Sequence, residues 1–230
     1  MWMATGGPWS WCNAVCGARF TSSNADERIE SVLGNYRDRG LRMGWWVPQT
    51  STPGNLAARL EAHGLEFGEP EPVMTCDLID WEPPRVPPEI EIGRAMNDGE
   101  LYEWCEAFVD AMQLDGGHAG FEAIYREIMV GSEAPYRTYI GKLEGRVVAC
   151  GLGVLAGDSV GLFAIGTRPD SQRRGVGSAI TARIMADAKA EGARRTMLSS
   201  SDEGYPIYER LGFKAVGELA VGRTDFGDSG

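Results

Sequence analysis

Residues 81–88 read Trp-Glu-Pro-Pro-Arg-Val-Pro-Pro, and four prolines in six positions remove backbone donors and lock φ angles. No helix crosses such a stretch, and each residue before a proline is pushed towards extended backbone. The 230-residue chain is therefore predicted to fold in two parts, 1–81 and 89–230, with 82–88 a Pro-rich, semi-rigid linker.

The larger part has a readable order. Ile90 to Ala95 alternates as a short strand. Asn97 with Glu100 three residues on predicts a capping box, opening a helix that carries Leu101, Trp104, Cys105, Phe108 and Met112 at helical spacing. Phe121, Ile124, Tyr125, Ile128 and Met129 repeat that stripe in a second predicted helix. Strands are expected at 137–143, 146–155 and 159–166, joined as hairpins by Glu144-Gly145 and Gly157-Asp158. A Gly-rich loop then precedes a helix with Val176, Ile180, Ile184 and Ala188 on one face, stopped at Gly192. A strand at 196–199, a helix from Glu203 to Leu211 and a last strand at 213–221 complete it. Hairpins followed by βαβαβ predict an α/β (α+β) fold with a mixed, mostly antiparallel sheet flanked by helices.

The smaller part resembles the second half of that pattern. A strand is expected over 9–20, then a helix capped by Asn24 and Glu27 and carrying Ile29, Val32, Leu33 and Tyr36 to Gly40. A strand at 43–47 leads to a helix opened by Thr52-Pro53 and stopped at Gly64, with strands at 65–67 and 73–78 beyond. The helix-ending glycines Gly40 and Gly64 lie 24 residues apart, against 20 for Gly192 and Gly212, which suggests a worn internal duplication. Two unrelated αβ segments fit the spacing as well.

Composition narrows the function. A net charge of −11 disfavours nucleic acid and anionic membrane as partners, because phosphate binding needs clustered cations. The longest nearly apolar run, 147–157, is about half of the ~20 residues a spanning helix needs. The N-terminus lacks a basic region followed by an apolar stretch, and five cysteines are an odd number, so a reducing, cytoplasmic setting is expected. Cys12 and Cys16 could be joined by imidazole only from His63 or His118, both distant in sequence, and no metal site is expected.

One loop carries chemistry. Gln172-Arg173-Arg174-Gly175-Val176-Gly177-Ser178 follows an apolar strand and opens an amphipathic helix. Unpaired amides at a helix N-terminus, with the positive end of its dipole, form an anion site. The glycines let a phosphate approach the backbone, and the arginines neutralise it. The loop is no P-loop, for it lacks Gly-Lys-Ser/Thr, and it lacks the third glycine of a dinucleotide fingerprint.

The stretch 163–178, Phe-Ala-Ile-Gly-Thr-Arg-Pro-Asp-Ser-Gln-Arg-Arg-Gly-Val-Gly-Ser, strongly resembles the acyl-CoA site of the GNAT superfamily of N-acyltransferases. Its signature is Gln/Arg-x-x-Gly-x-Gly/Ala, and Gln172, Gly175 and Gly177 fill the fixed positions. Tyr205-Pro-Ile-Tyr-Glu-Arg-Leu-Gly-Phe213 is similar to that superfamily's Tyr-Glu-x-Leu-Gly-Phe element. The resemblance covers about residues 89–222. Residues 1–81 resemble a degenerate GNAT-like domain of tandem members, whose junction Thr21-Ser-Ser-Asn-Ala lacks the arginines and glycines of a phosphate cradle.

The resemblance implies a GNAT fold and a co-substrate, acetyl-CoA (coenzyme A). Pantetheine would lie between splayed strands against Ala164, Ile165, Gly166 and Thr167, one of whose amides would stabilise the oxyanion. Amides of Arg173, Arg174, Gly175, Val176, Gly177 and Ser178, beside Gln172, would hold the pyrophosphate. The amine would attack the thioester directly in a ternary complex, and Tyr208 would protonate the departing thiolate; an ordinary core tyrosine is the alternative.

The base departs from the common pattern, since 159–166 carries no glutamate. Glu106, Asp110, Asp115, His118 and Glu203 are candidates to line the acceptor side. Glu106 and Asp110 share a helix face, although a solvated face reads the same way; His118 fits best on pKa grounds. The expected protein is an acetyltransferase acting on a primary amine of a small molecule, as monomer or homodimer. A non-catalytic acyl-CoA sensor and a peptide or protein acetyltransferase are the alternatives.

Overall fold

The computed structural model describes residues 2–7, 9–114 and 135–226. His118, Asp115 and the helix expected over 121–129 lie outside them. The chain forms two compact units, Met1–Val73 with Val216–Gly230, and Met74–Ala215.

In the first unit, β1 (Trp2–Ala4) pairs antiparallel with β2 (Asn13–Cys16), and β2 runs parallel to β3 (Met43–Pro48). Helix α1 (Ala25–Arg37) makes the crossover, and α2 (Leu56–Ala62) follows β3. Ile29, Leu33 and Tyr36 of α1 and Leu56 and Leu60 of α2 cover Val15, Met43 and Trp45 of the strands. Trp45 is thus a core residue. The strand expected over 9–20 is a 3-10 turn, Ser10–Cys12, followed by the short β2. The buried Asn13 interrupts it by donating to the carbonyls of Gly7 and Arg42, at 2.8 and 2.9 Å. Asn24 accepts from the Thr21 amide rather than from the helix. The second helix starts at Leu56, not at Thr52-Pro53: Phe20 donates to the Thr52 carbonyl and Thr52 to that of Ala18, which keeps this backbone extended.

Chain-end pairing moves the boundary expected at the prolines. The last strand, β11 (Lys214–Thr224), pairs antiparallel with β3 from Leu219↔Pro48 to Thr224↔Met43, and with β4 (Glu66–Phe67). Residues 216–226 therefore belong to the first unit. The proline stretch lies inside the second, held where Trp81 Nε1 donates to the Leu211 carbonyl and Lys189 Nζ to the Trp81 carbonyl.

The second unit has strands in the order β5, β10, β9, β8, β7, β6. These are β5 (Glu71–Asp77), β6 (Ile90–Arg94), β7 (Tyr136–Leu143), β8 (Arg146–Ala156), β9 (Ser159–Thr167) and β10 (Arg195–Ser199). β6 to β9 are antiparallel neighbours, and β10 runs parallel to β9. Helix α3 (Asp98–Ala111) begins with half of the expected box: Asn97 Oδ1 accepts from Glu100 N at 3.0 Å, while Glu100 Oε2 accepts from Met96 N, one residue before the N-cap. Helix α4 (Val176–Ala190) and the short α5 (Tyr205–Arg210) complete the unit.

Small residues set how closely the helices sit. A Cβ on Gly151 would lie 2.4 Å from Ile180 of α4, and one on Gly153 2.8 Å from Ile184. On Gly166, register partner of Cys150, it would lie 2.7 Å from the Cβ of Ala111, at the end of α3. Because successive strand residues face opposite ways, α3 and α4 cover opposite faces. Ile180, Ile184 and Met185 are at most 1 % exposed.

Candidate active site

The two central strands separate where the site lies. β10 is in register with β9 from Arg195↔Ser159 to Met197↔Gly161. Beyond Gly161 that edge of β9 has no strand partner among the described residues, which leaves room for an extended ligand along it. On its other edge β9 bulges: Cys150 is opposite Gly166 and Leu152 opposite Phe163, so Ala164 and Ile165 together face Gly151. Ala164 takes φ +52°, a left-handed conformation unusual for a residue with a Cβ.

A cleft of about 860 Å³ opens beside this edge. Its floor is Ile165, Gly166 and Thr167; its far end is Gln172, Arg173, Gly175, Val176, Gly177 and Ser178; and α5 contributes Ile207 and Tyr208. The loop enters α4 through two left-handed residues, Arg173 at φ +60° and Gly175 at φ +84°. The first bond of the α4 ladder runs from Ala179 N to the Gly175 carbonyl at 3.0 Å. The amides of Val176, Gly177 and Ser178 precede it, have no acceptor within the helix and stand at its positive end. Gln172 Nε2 donates to the Thr167 carbonyl at 3.4 Å and ties the loop to the end of β9. Arg174 is half-exposed, with its guanidinium 3.9 Å from Glu144, and does not line the cleft.

Tyr208 reaches the same cleft from the opposite wall. Its ring packs edge-on against Phe213, centroids 5.7 Å apart. Burial raises its pKa above the usual tyrosine value, so the hydroxyl keeps its proton at neutral pH.

Glu106 stands elsewhere. It and Asp110 flank Arg168: Asp110 forms an ion pair with Arg168 Nη1, and the Glu106 carboxylate is 3.9 Å from Nη2. Both acids thus fasten α3 to the segment after β9, and neither lines the cleft. Glu203, an exposed residue, is the one carboxylate among the described residues lining it. Ser201 and Arg210 also line the cleft, as does Thr181, which escaped the sequence reading. Thr181 was legible one helical turn beyond Gly177, and its hydroxyl indeed donates to the Gly177 carbonyl at 2.9 Å. Arg168 gave no such signal, because its partners lie some 60 residues away. Among the described residues no group of side chains could hold a metal ion, and no helix is long and apolar enough to cross a membrane.

A strand edge left open beyond Gly161, a helix start with unpaired amides and a half-buried tyrosine line one cleft, the arrangement expected of an acyl-CoA-dependent transferase. The comparisons agree. The acetyltransferase (GNAT) family matches residues 100–213. A GCN5-related N-acetyltransferase from Kribbella flavida is similar in structure at TM-score 0.73 and 18 % identity, covering 95 % of this chain and 82 % of that one. One from Sphaerobacter thermophilus gives 0.65 and 17 %, covering 89 % and 69 %. A conserved protein of unknown function from Staphylococcus epidermidis gives 0.68 and 12 %, covering 93 % and 85 %. No curated protein matches the chain. Residues 100–213 form a GNAT acetyltransferase domain, which marks the protein as an acyl-CoA-dependent N-acetyltransferase.

Proposed function

We propose that the protein transfers the acetyl group of acetyl-CoA to a primary amine of a small molecule, by direct attack within a ternary complex. The observation that carries this reading is the meeting of three features in one cleft: the unpaired edge of β9, the cradle at 172–178 and the Tyr208 ring. The amides of Val176, Gly177 and Ser178 hold the pyrophosphate, with Arg173 beside them. Pantetheine lies along Ile165 to Thr167 and brings the thioester carbonyl to the bulge at Ala164. An amide there receives the charge that develops on the carbonyl oxygen. As the C–S bond breaks, Tyr208 gives its proton to the sulfur.

Glu203 favours a cationic amine over a neutral acceptor, in keeping with the chain's net charge of −11. The attacking nitrogen must lose a proton, and by its chemistry His118 is the base we assign; Glu106, held beside Arg168, is not. The first unit, read as a GNAT-like half with a β2-α1-β3 crossover and no cradle, serves as scaffold rather than as a second CoA site. We place the protein in the cytoplasm, as monomer or homodimer.

Tyr208→Phe tests the reading. The ring still packs on Phe213, so CoA affinity is expected to stay unchanged while kcat falls on the order of 10²-fold, the low end for acid assistance because a thiolate already leaves well. The loss should shrink with an acyl donor whose thiol is more acidic. Wild-type turnover in the variant would make Tyr208 a packing residue.

A further inference from the structure

The bulge that receives the thioester is not held by the β ladder, which it interrupts, yet Ala164 keeps a conformation that an alanine in water would abandon. Two side chains take the place of the missing bonds. Cys150 Sγ lies 3.3 Å from the Ala164 carbonyl and 3.8 Å from that of Gly166. Across the bulge, Trp104 Nε1 donates to the Gly151 carbonyl at 3.0 Å, within the core. Gly151 itself is hemmed in by Ile165 and Ile180, so the facing strand has no room to shift.

In a trans peptide the carbonyl and the following amide point in opposite directions. With the Ala164 carbonyl turned to Cys150, the Ile165 N–H points away from Cys150, on a residue that lines the cleft. We propose that Cys150 is a positioning residue for acyl transfer: its thiol hydrogen bond to the Ala164 carbonyl fixes the bulge, and thereby aims the Ile165 amide at the oxygen of the acyl thioester. This rests on the acyl-CoA reading of the cleft. The thiol never contacts the substrate and makes no covalent bond with it. Complete burial raises its pKa well above the usual thiol value, so it remains a neutral S–H donor across the working pH range. In Cys150→Ser a hydroxyl replaces the thiol as donor; Cys150→Ala and Cys150→Val supply none, the first smaller and the second larger than cysteine.

The test uses the full chain and acetyl-CoA labelled with ¹³C at the thioester carbonyl. Infrared difference spectra of the bound label report how strongly a donor polarises that carbonyl, which loss of packing alone would not alter in a set order across the variants. In the wild-type protein the carbonyl band is expected below its frequency in solution. In Cys150→Ala and Cys150→Val it should return towards the solution value, with kcat lowered about 10- to 100-fold and the affinity for CoA, which lacks the carbonyl, within twofold. Cys150→Ser should recover most of both. If the alanine variant does not fold, judged by CoA binding, the valine and serine variants make the same comparison. A wild-type carbonyl band and turnover in the non-donor variants would overturn the proposal, as would equal losses in Ser, Ala and Val. A shifted carbonyl in a protein that acetylates no amine would refute the transferase reading and leave the bulge assignment standing.

Discussion

Gly177→Asp separates the cofactor site from the fold. A Cβ at Gly177 would meet the Thr167 hydroxyl at 3.3 Å and, outside its chain neighbours and its own helix backbone, no other described atom within 4 Å, so the aspartate enters the cleft with a slight shift of one side chain. Stability should change little. Binding should change greatly. A carboxylate about 5 Å from a pyrophosphate carrying two negative charges, at an effective dielectric constant of about 40–80, is repelled by about 2–3 kcal/mol. The carboxylate also occupies the helix N-terminus in place of the ligand, which removes about 0.3–1 kcal/mol more. At about 1.4 kcal/mol per factor of ten, the dissociation constant for CoA should rise about 10²- to 10³-fold. Titration calorimetry with CoA reads this directly, and Gly177→Ala, which adds bulk without charge, should cost no more than about tenfold. Wild-type affinity in Gly177→Asp, with an unchanged melting temperature, would mean that the pyrophosphate is not bound at α4.

Other perturbations probe the frame around the cleft. Gly151→Ala would place a methyl 2.4 Å from Ile180 and 3.0 Å from Ile165; it should destabilise the fold by about 1–3 kcal/mol, seen in urea unfolding, and a wild-type midpoint would refute the packing. Asp110→Asn removes the acid paired with Arg168; on a half-exposed pair it should cost at most about 1 kcal/mol and leave CoA affinity unchanged, whereas a large loss of turnover at intact CoA binding would make Asp110 part of the chemistry. Tyr139, whose hydroxyl donates to Asp187 at 2.9 Å, has its pKa raised by burial first and by that carboxylate second. A raised folded-state pKa means that stability is full below the unfolded tyrosine value near 10 and declines as pH climbs above it. Melting temperatures from pH 8 to 11 should therefore fall more steeply for wild type than for Tyr139→Phe; parallel curves would contradict the assignment.

What the sequence disclosed followed from local physics. The α4 stripe of Val176, Ile180, Ile184 and Ala188 repeats with the helix period, and its glycine-rich entry declares the cradle because only backbone conformation and nearby charge are needed there. The Asn97–Glu100 box is equally local. The features that escaped depend on partners far along the chain. The bulge at Ala164 exists because β8 and β9 pair out of step at Gly151, and alanine gives no warning of φ +52°. Glu106 and Asp110 looked available for catalysis until Arg168, 62 and 58 residues away in the chain, was seen to hold them. The prolines at 83–88 did forbid helix, yet compactness divides the chain at Val73/Met74 and Ala215/Val216, because β11 pairs with β3 about 170 residues earlier. The Thr52-Pro53 start read well by residue type and failed because Thr52 is bridged to 18–20.

The most direct measurement is release of free thiol from acetyl-CoA across a panel of amines, including aminoglycosides, polyamines, amino acids and peptides, with the acetylated product identified by mass. The account predicts turnover with a small cationic amine, dependent on both Gly177 and Tyr208. Tight CoA binding with no thiol release from any member of the panel would contradict it and identify the cleft as that of an acyl-CoA sensor.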